Sequence, residues 1–139
     1  MSKASDLARL LTSGSTSLHG EAGVTASGST GLTTNLQQGL AKFWISHDAK
    51  TDSTLDSFNF NSVTDNGTGD HTFSFTNNMS NNDYALATHG QEDSGGGGRC
   101  VCGKGTPATS SRQINSTIAS SGANDDFSFT DIHVNGDLA

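Results

Sequence analysis

The segment DNGTGD, residues 65–70, combines carboxylates, an amide and two glycines, which could hold a metal ion or a phosphate group. An EF-hand loop would also need a bidentate glutamate at its end and a helix on each side, and neither follows from this sequence. A Walker-type phosphate loop would need a lysine followed by serine or threonine, which the segment lacks. Because the segment joins two stretches of alternating phenylalanines, we expect a hairpin turn in which Asn66-Gly67 or Gly69 supplies a positive φ. Its aspartates should then lie in solvent at the tip, where they cap the turn or contact a neighbour.

Histidines and cysteines are the other candidate metal ligands. The histidines are His19, His47, His71, His89 and His133. They show no HxH or HxxxH spacing, so no preformed zinc site is predicted, and exposed or hydrogen-bonded side chains are expected.

Cys100 and Cys102 would point the same way in a strand, with Cα atoms roughly 6.5 to 7 Å apart, so a bridge between them would be strained. Free thiols are the simplest expectation. An inter-subunit disulfide, or a metal site completed by a histidine of a neighbouring chain, stays open as an alternative.

Catalytic constellations are missing from the sequence. The segment GSTSLHG lacks the second glycine that a nucleophile elbow requires. Asp125 and Asp126 are adjacent, so in a strand they would point to opposite faces and could not act as a paired acid and base. We therefore expect neither an enzyme nor a bound cofactor.

The elements that would position any site are strands, because apolar residues alternate with period two from Gly39 onward. This pattern places pairs of apolar residues on one face in three segments: Phe43 and Ile45, Phe58 and Phe60, and Phe73 and Phe75. Further strand candidates are DYALATH, RCVCG, RQINSTIA and DFSFTDIHVNG. Together they give about seven strands of roughly four to eight residues, which is typical of an antiparallel β-sandwich. We predict a jelly-roll-like sandwich domain over residues 39–139.

In the last strand candidate, Phe127 and Phe129 are out of phase with Ile132 and Val134. A bulge near residues 130–131 would bring all four side chains to the inward face.

The N-terminal part, residues 1–38, has a different pattern. Apolar residues at helical spacing predict a short amphipathic helix over residues 2–11, ending before Gly14. Glycine and serine are frequent over residues 12–38, with single leucines and a valine between them. This composition cannot build a core, so we expect either a flexible linker or an extended arm that lies along a partner.

The overall composition is polar without being ionic. The chain has 139 residues, of which 31% are hydrophobic and 15% charged, and its net charge is −7. Soluble domains average roughly 45 to 50% apolar and about 25% charged residues, so oligomerisation is expected to supply missing burial. Nucleic acid is not an expected partner without clustered lysine or arginine. No apolar run is long enough to span a membrane or to form a secretion signal at the start, so no membrane insertion is expected.

The run from residue 33 to residue 84 resembles small β-rich virion surface modules of marine bacteriophages. The resemblance depends on a strand with lysine and tryptophan, then DSFN, then TDNGTGDHTFSFT, then a methionine followed by a tyrosine. Such modules occur in tail-fibre and other virion surface proteins. The resemblance implies a non-enzymatic structural protein, usually trimeric, assembled in the host cytoplasm and displayed on the phage particle.

The resemblance also suggests roles for particular residues. The N-terminal helix and arm would attach the module to tail or capsid proteins through leucines: Leu7, Leu10, Leu11 and Leu18. Four residues are candidates for contact with a host receptor or glycan: Trp44, Gln91, Glu92 and Arg99. For Trp44, which lies opposite Phe43 and Ile45, packing against a neighbouring subunit is the favoured alternative, because interfaces are enriched in tryptophan. The tetraglycine and Cys-x-Cys region departs from the family pattern and is expected to carry this protein's own specificity. A capsid decoration or head-fibre protein and a free glycan-binding β module are the alternatives.

Overall fold

The computed structural model describes residues 40–93 and 98–139, together with two short strands at 23–25 and 33–35. By contacts between residues the chain divides into two compact units, Met1–Gly39 and Leu40–Ala139. In the first unit, β1 (Gly23–Thr25) pairs antiparallel with β2 (Thr33–Asn35). The predicted N-terminal helix lies outside the described residues.

The second unit consists of eight strands. They are β3 (Phe43–Asp48), β4 (Ser53–Phe58), β5 (Phe60–Gly67), β6 (Asp70–Phe75), β7 (Ala85–Gln91), β8 (Arg99–Gly103), β9 (Ser111–Ile118) and β10 (Phe129–Asn135). The described residues contain no helix, so none of them forms a helix that could span a membrane.

The eight strands form two antiparallel four-stranded sheets. Sheet I has the strand order β4-β3-β10-β7, and sheet II has the order β5-β6-β9-β8. Alternation within the central strands is strict: β3 and β6 each bury every second residue. The predicted all-β architecture with antiparallel sheets is therefore confirmed for this unit, in a β-sandwich-like arrangement.

The two sheets contact each other through their inward side chains. Phe43 of β3 and Phe75 of β6 have ring centroids 4.8 Å apart, in the tilted geometry that aromatic pairs favour. The apolar core comprises Phe43, Ile45, Phe73, Phe75, Met79, Val101, Ile114, Phe127, Ile132 and Val134.

Asn59 interrupts what the sequence predicts as one strand carrying Phe58 and Phe60 on one face. Asn59 has a φ of 60°, a conformation that asparagine tolerates better than most residues. The chain leaves sheet I at Phe58 and enters sheet II at Phe60, so Phe58 is 51% exposed while Phe60 packs against the core. The prediction that the two phenylalanines share a face of one strand is wrong.

The side chain of Asn59 also fixes this crossing. Its Nδ2 donates to the carbonyl oxygens of Lys42, at 2.9 Å, and Asn77, at 3.0 Å. Its Oδ1 accepts a hydrogen bond from the Asn77 backbone N–H at 2.7 Å. One polar side chain therefore ties three backbone segments together where the chain changes sheets.

The segment 65–70 lies in a hairpin between β5 and β6, as predicted, with its turn at Thr68 and Gly69 and a positive φ at Gly67 and Gly69. Gly69 packs so closely that an added Cβ would lie 2.4 Å from the Ser116 carbonyl oxygen. The expectation for the aspartates is correct for Asp65, whose side chain is 57% exposed. It is wrong for Asp70, which accepts a hydrogen bond from Gln113 at 2.7 Å and also contacts Lys104.

Strand β10 begins at Phe129 and alternates regularly, with Thr130, Ile132 and Val134 buried. Phe127 and Ser128 are both buried just before the strand begins. The change of phase therefore occurs at the entry to β10 and not as a bulge at residues 130–131.

Candidate binding face of the sandwich

The outer face of sheet I carries three aromatic side chains at paired positions on neighbouring strands. Strand register places Phe58, Trp44, His133 and Ala87 opposite one another across β4, β3, β10 and β7. Phe43 and Ile45, the sequence neighbours of Trp44, are buried in the core. Because successive side chains of a strand point to opposite faces, Trp44 points outward. Trp44 is half-buried between Phe58 and His133, while those two side chains are exposed.

A second row of polar side chains lies beside the aromatic row. It consists, in the same strand order, of Asp56, Ser46, Asp131 and His89. His89 Nδ1 and Asp131 Oδ2 are 3.2 Å apart, and the two side chains are 61% and 42% exposed. We call these eight residues the outer face of sheet I.

A shallow cleft of about 200 Å³ opens on this face between β7 and β10. The small side chain of Ala87 leaves the hollow, and His89, Asp131 and His133 border it. The arrangement can therefore present an aromatic surface, two carboxylates and two imidazoles to a ligand without any change in the backbone.

The outer face of sheet II has a different chemistry. Hydroxyl and amide groups bond to one another there, as where Asn66 Nδ2 donates to Thr72 Oγ1 at 2.9 Å. Cys100 and Cys102, on the edge strand β8, are both free and exposed. Among the residues that the structure describes, no group of three or more His, Cys, Asp or Glu side chains is arranged to hold a metal ion.

Two histidines are buried between the sheets, contrary to the expectation of exposed or hydrogen-bonded side chains. His47 of β3 is 0% exposed and His71 of β6 is 1% exposed, with ring centroids 5.6 Å apart. Both ring nitrogens of His47 and Nδ1 of His71 lack a hydrogen-bond partner. Burial, reinforced by the neighbouring His71, lowers the pKa of His47 below its usual value of 6.5.

Two exposed aspartates lie beyond the buried histidines. His47 Nε2 is 3.4 Å from Asp52 Oδ1, and His71 Nε2 is 4.0 Å from Asp65 Oδ1. Both aspartates belong to turn regions, at the β3–β4 connection and at the end of β5. The two buried histidines therefore each lie close to an exposed aspartate.

The four residues proposed from the sequence for host contact do not form one cluster. Trp44 is central to the outer face of sheet I, and the exposed Gln91 is at the end of β7. The Glu92 side chain is only 6% exposed, contacts Lys50 and accepts a hydrogen bond from the Ser128 N–H at 3.2 Å. Arg99 lies over the ring of Phe127, with its guanidinium carbon 5.4 Å from the ring centroid. The structure thus brings Trp44 together with His89, Asp131 and His133, which the sequence did not single out.

The proposed attachment leucines Leu7, Leu10, Leu11 and Leu18 lie outside the described residues. The chain matches no protein-family model, no curated protein and no solved structure.

Proposed function

We propose that this chain is a bacteriophage virion structural protein, a tail-fibre-like surface module that contacts the host. The observation that carries the proposal is the alignment of Phe58, Trp44 and His133 on the outer face of sheet I, where Phe58 and His133 are exposed and Trp44 is half-buried. Exposed clusters of large apolar side chains on soluble proteins mark interaction sites more often than chance placement would. The resemblance of residues 33–84 to phage surface modules supplies the biological setting.

Attachment and assembly complete the proposal. The N-terminal residues attach the module to other virion proteins, and the jelly-roll-like sandwich assembles as a homotrimer. Support for the trimer comes from the edge strands: β4 of sheet I and β5 of sheet II are largely exposed and add little to the core of one chain. Three chains around an axis would bury such edges.

Immunolabelling of intact particles tests the function directly. Antibodies raised against the full purified chain are applied to phage particles and located by electron microscopy. Label at the tail supports the tail-fibre-like role, whereas label distributed over the capsid supports a decoration or head-fibre protein instead. Particles without label overturn the virion proposal and favour a free glycan-binding module.

Light scattering of the purified chain tests the assembly. The trimer predicts a mass about three times the 14.3 kDa of one chain. A stable monomer at micromolar concentration contradicts it.

A further inference from the structure

We infer that the outer face of sheet I binds an uncharged glycan, with Trp44 as the platform for a sugar ring. The inference deepens the proposed host contact and rests on it. It narrows the receptor or glycan expected from the sequence to one chemical class, an uncharged sugar.

The aromatic row fits the apolar side of a sugar. The C–H groups on one side of a pyranose ring carry small positive charges, and they pack favourably on the negative face of an aromatic ring. Trp44 is flanked on neighbouring strands by Phe58 and His133, so adjacent rings of a glycan chain would meet successive side chains. Neighbouring strands lie about 4.8 Å apart, close to the length of one sugar ring.

The polar row fits the hydroxyl groups of the same ligand. Asp56 and Asp131 accept hydrogen bonds from hydroxyls, and His89 can donate or accept according to its tautomer. The hollow at Ala87 is bordered by His89, Asp131 and His133 from two strands, but its lining is mainly apolar, so it suits the carbon face of a ring. A few placed polar groups beside an apolar surface are the usual composition of a small-molecule site.

Charge selects the class of sugar. The outer face of sheet I contains two carboxylates and no lysine or arginine. Sialylated or sulfated glycans would be repelled, and the net charge of −7 adds to the repulsion at long range. The cleft of about 200 Å³ is also smaller than the roughly 300 to 1,000 Å³ of enclosed ligand pockets, which suits a ring lying on an open surface.

Saturation-transfer-difference NMR on the full chain tests the inference. The probes are neutral oligosaccharides of glucose, galactose, mannose and N-acetylglucosamine, with sialylated and sulfated counterparts. We expect transfer to at least one neutral sugar and to none of the charged ones. Trp44→Ala should weaken the affinity roughly tenfold, as expected for the loss of one aromatic stacking contact. Asp131→Asn should weaken it as well.

Thr64→Ala is the matched control, because Thr64 is exposed on β5 and belongs to the opposite outer face. Equal loss of binding in Thr64→Ala and Trp44→Ala would contradict the assignment of the face. Absence of binding to every neutral sugar, or preference for the charged ones, would overturn the inference. Dissociation of an oligomer by Trp44→Ala would also overturn it, since the face would then be an interface between copies.

A competition assay separates this inference from the proposed function. The purified chain is expected to block adsorption of labelled particles to host cells, and periodate oxidation of the cell-surface sugars should abolish its binding. If the chain blocks adsorption but periodate has no effect, host contact stands and the glycan inference fails. If particles carry no label and the chain blocks nothing while a neutral sugar still binds, the virion proposal fails and the glycan site stands.

Discussion

Acidification should destabilise the sandwich through His47, and replacing this residue by leucine should remove most of the effect. The pKa of His47 is lowered in the folded protein from the usual 6.5, because the ring is buried and faces His71. The unfolded chain therefore binds more protons than the folded chain as the pH falls through 6.5. Stability should be nearly constant above about pH 7.5 and decrease below about pH 6.5, by at most about 1.4 kcal/mol per pH unit for this group.

The His47→Leu variant should also be more stable at neutral pH. An unpaired buried polar group costs about 1 to 3 kcal/mol, and the substitution removes Nδ1 of His47, which has no hydrogen-bond partner, while Nε2 lies 3.4 Å from Asp52 Oδ1. It also removes the edge-to-face contact with Phe73, at a centroid distance of 5.4 Å, which is worth about 0.5 to 1.5 kcal/mol. We expect a net gain of about 1 kcal/mol, because the released polar group outweighs the lost ring contact.

Urea unfolding of the full chain at pH 7.5, 6.0 and 5.0 measures both effects. His133→Gln serves as the control, since it also removes a histidine, but one that is exposed at the surface. Desolvation raises the pKa of Asp48 and Asp70, but hydrogen bonds outweigh it and lower the pKa of both below 3.8, so the contribution of these two carboxylates is lost only in stronger acid. The reasoning is refuted if His47→Leu keeps the wild-type slope between pH 7.5 and 5.0, or if wild-type stability rises on acidification.

Three further pairs of substitutions test the turns and the edge of the sandwich by urea unfolding. Gly69→Ala should cost at least about 2 kcal/mol more than Gly122→Ala, because both residues have a φ near 70° but only the first would clash with the backbone; equal losses would contradict the close packing. Asn59→Gly should lower the stability by about 1 to 3 kcal/mol, because the side-chain hydrogen bonds are lost. Asn59→Ala should cost about 1 kcal/mol more, because only glycine tolerates the positive φ at no cost. The reverse order would refute this account. Glu92→Ala should cost about 1 to 2 kcal/mol by leaving the buried Ser128 N–H without its acceptor, whereas Glu92→Gln, which keeps an acceptor oxygen, should cost less than about 0.5 kcal/mol; similar losses would show that the charge matters more than the hydrogen bond.

The period-two pattern predicted the inward faces of the central strands. It could do so because the residues that form one face of a strand come from a single short stretch of the sequence. Phe43 and Ile45, like Phe73 and Phe75, are buried as expected. The same pattern continues without change through Asn59, so alternation alone could not reveal the passage from one sheet to the other. The chain changes sheets because Asn59 has a positive φ. That conformation is held by hydrogen bonds to Lys42 and Asn77, which come close to Asn59 only in the folded protein.

The buried histidine and the binding face show two different limits of prediction. His47 has the same parity as Phe43 and Ile45, so the pattern did indicate an inward side chain, and only its polar character argued for exposure. The outer face of sheet I depends on pairing between β10 and both β3 and β7, strands far apart in the sequence. Period two gives the face of each residue within its strand, but not which strands become neighbours.

The proposed trimer and the proposed glycan site involve different strands of sheet I, so they can be tested separately. Leu55 and Phe58, two of the most exposed large apolar side chains among the described residues, both lie on the edge strand β4. Asp131 lies on β10, two strands away from that edge. If three chains associate through β4, Phe58→Ala lowers the mass of the assembly while Asp131→Asn preserves the mass and weakens sugar binding. Loss of mass in both variants would mean that subunits cover the whole face, and no sugar could then reach Trp44.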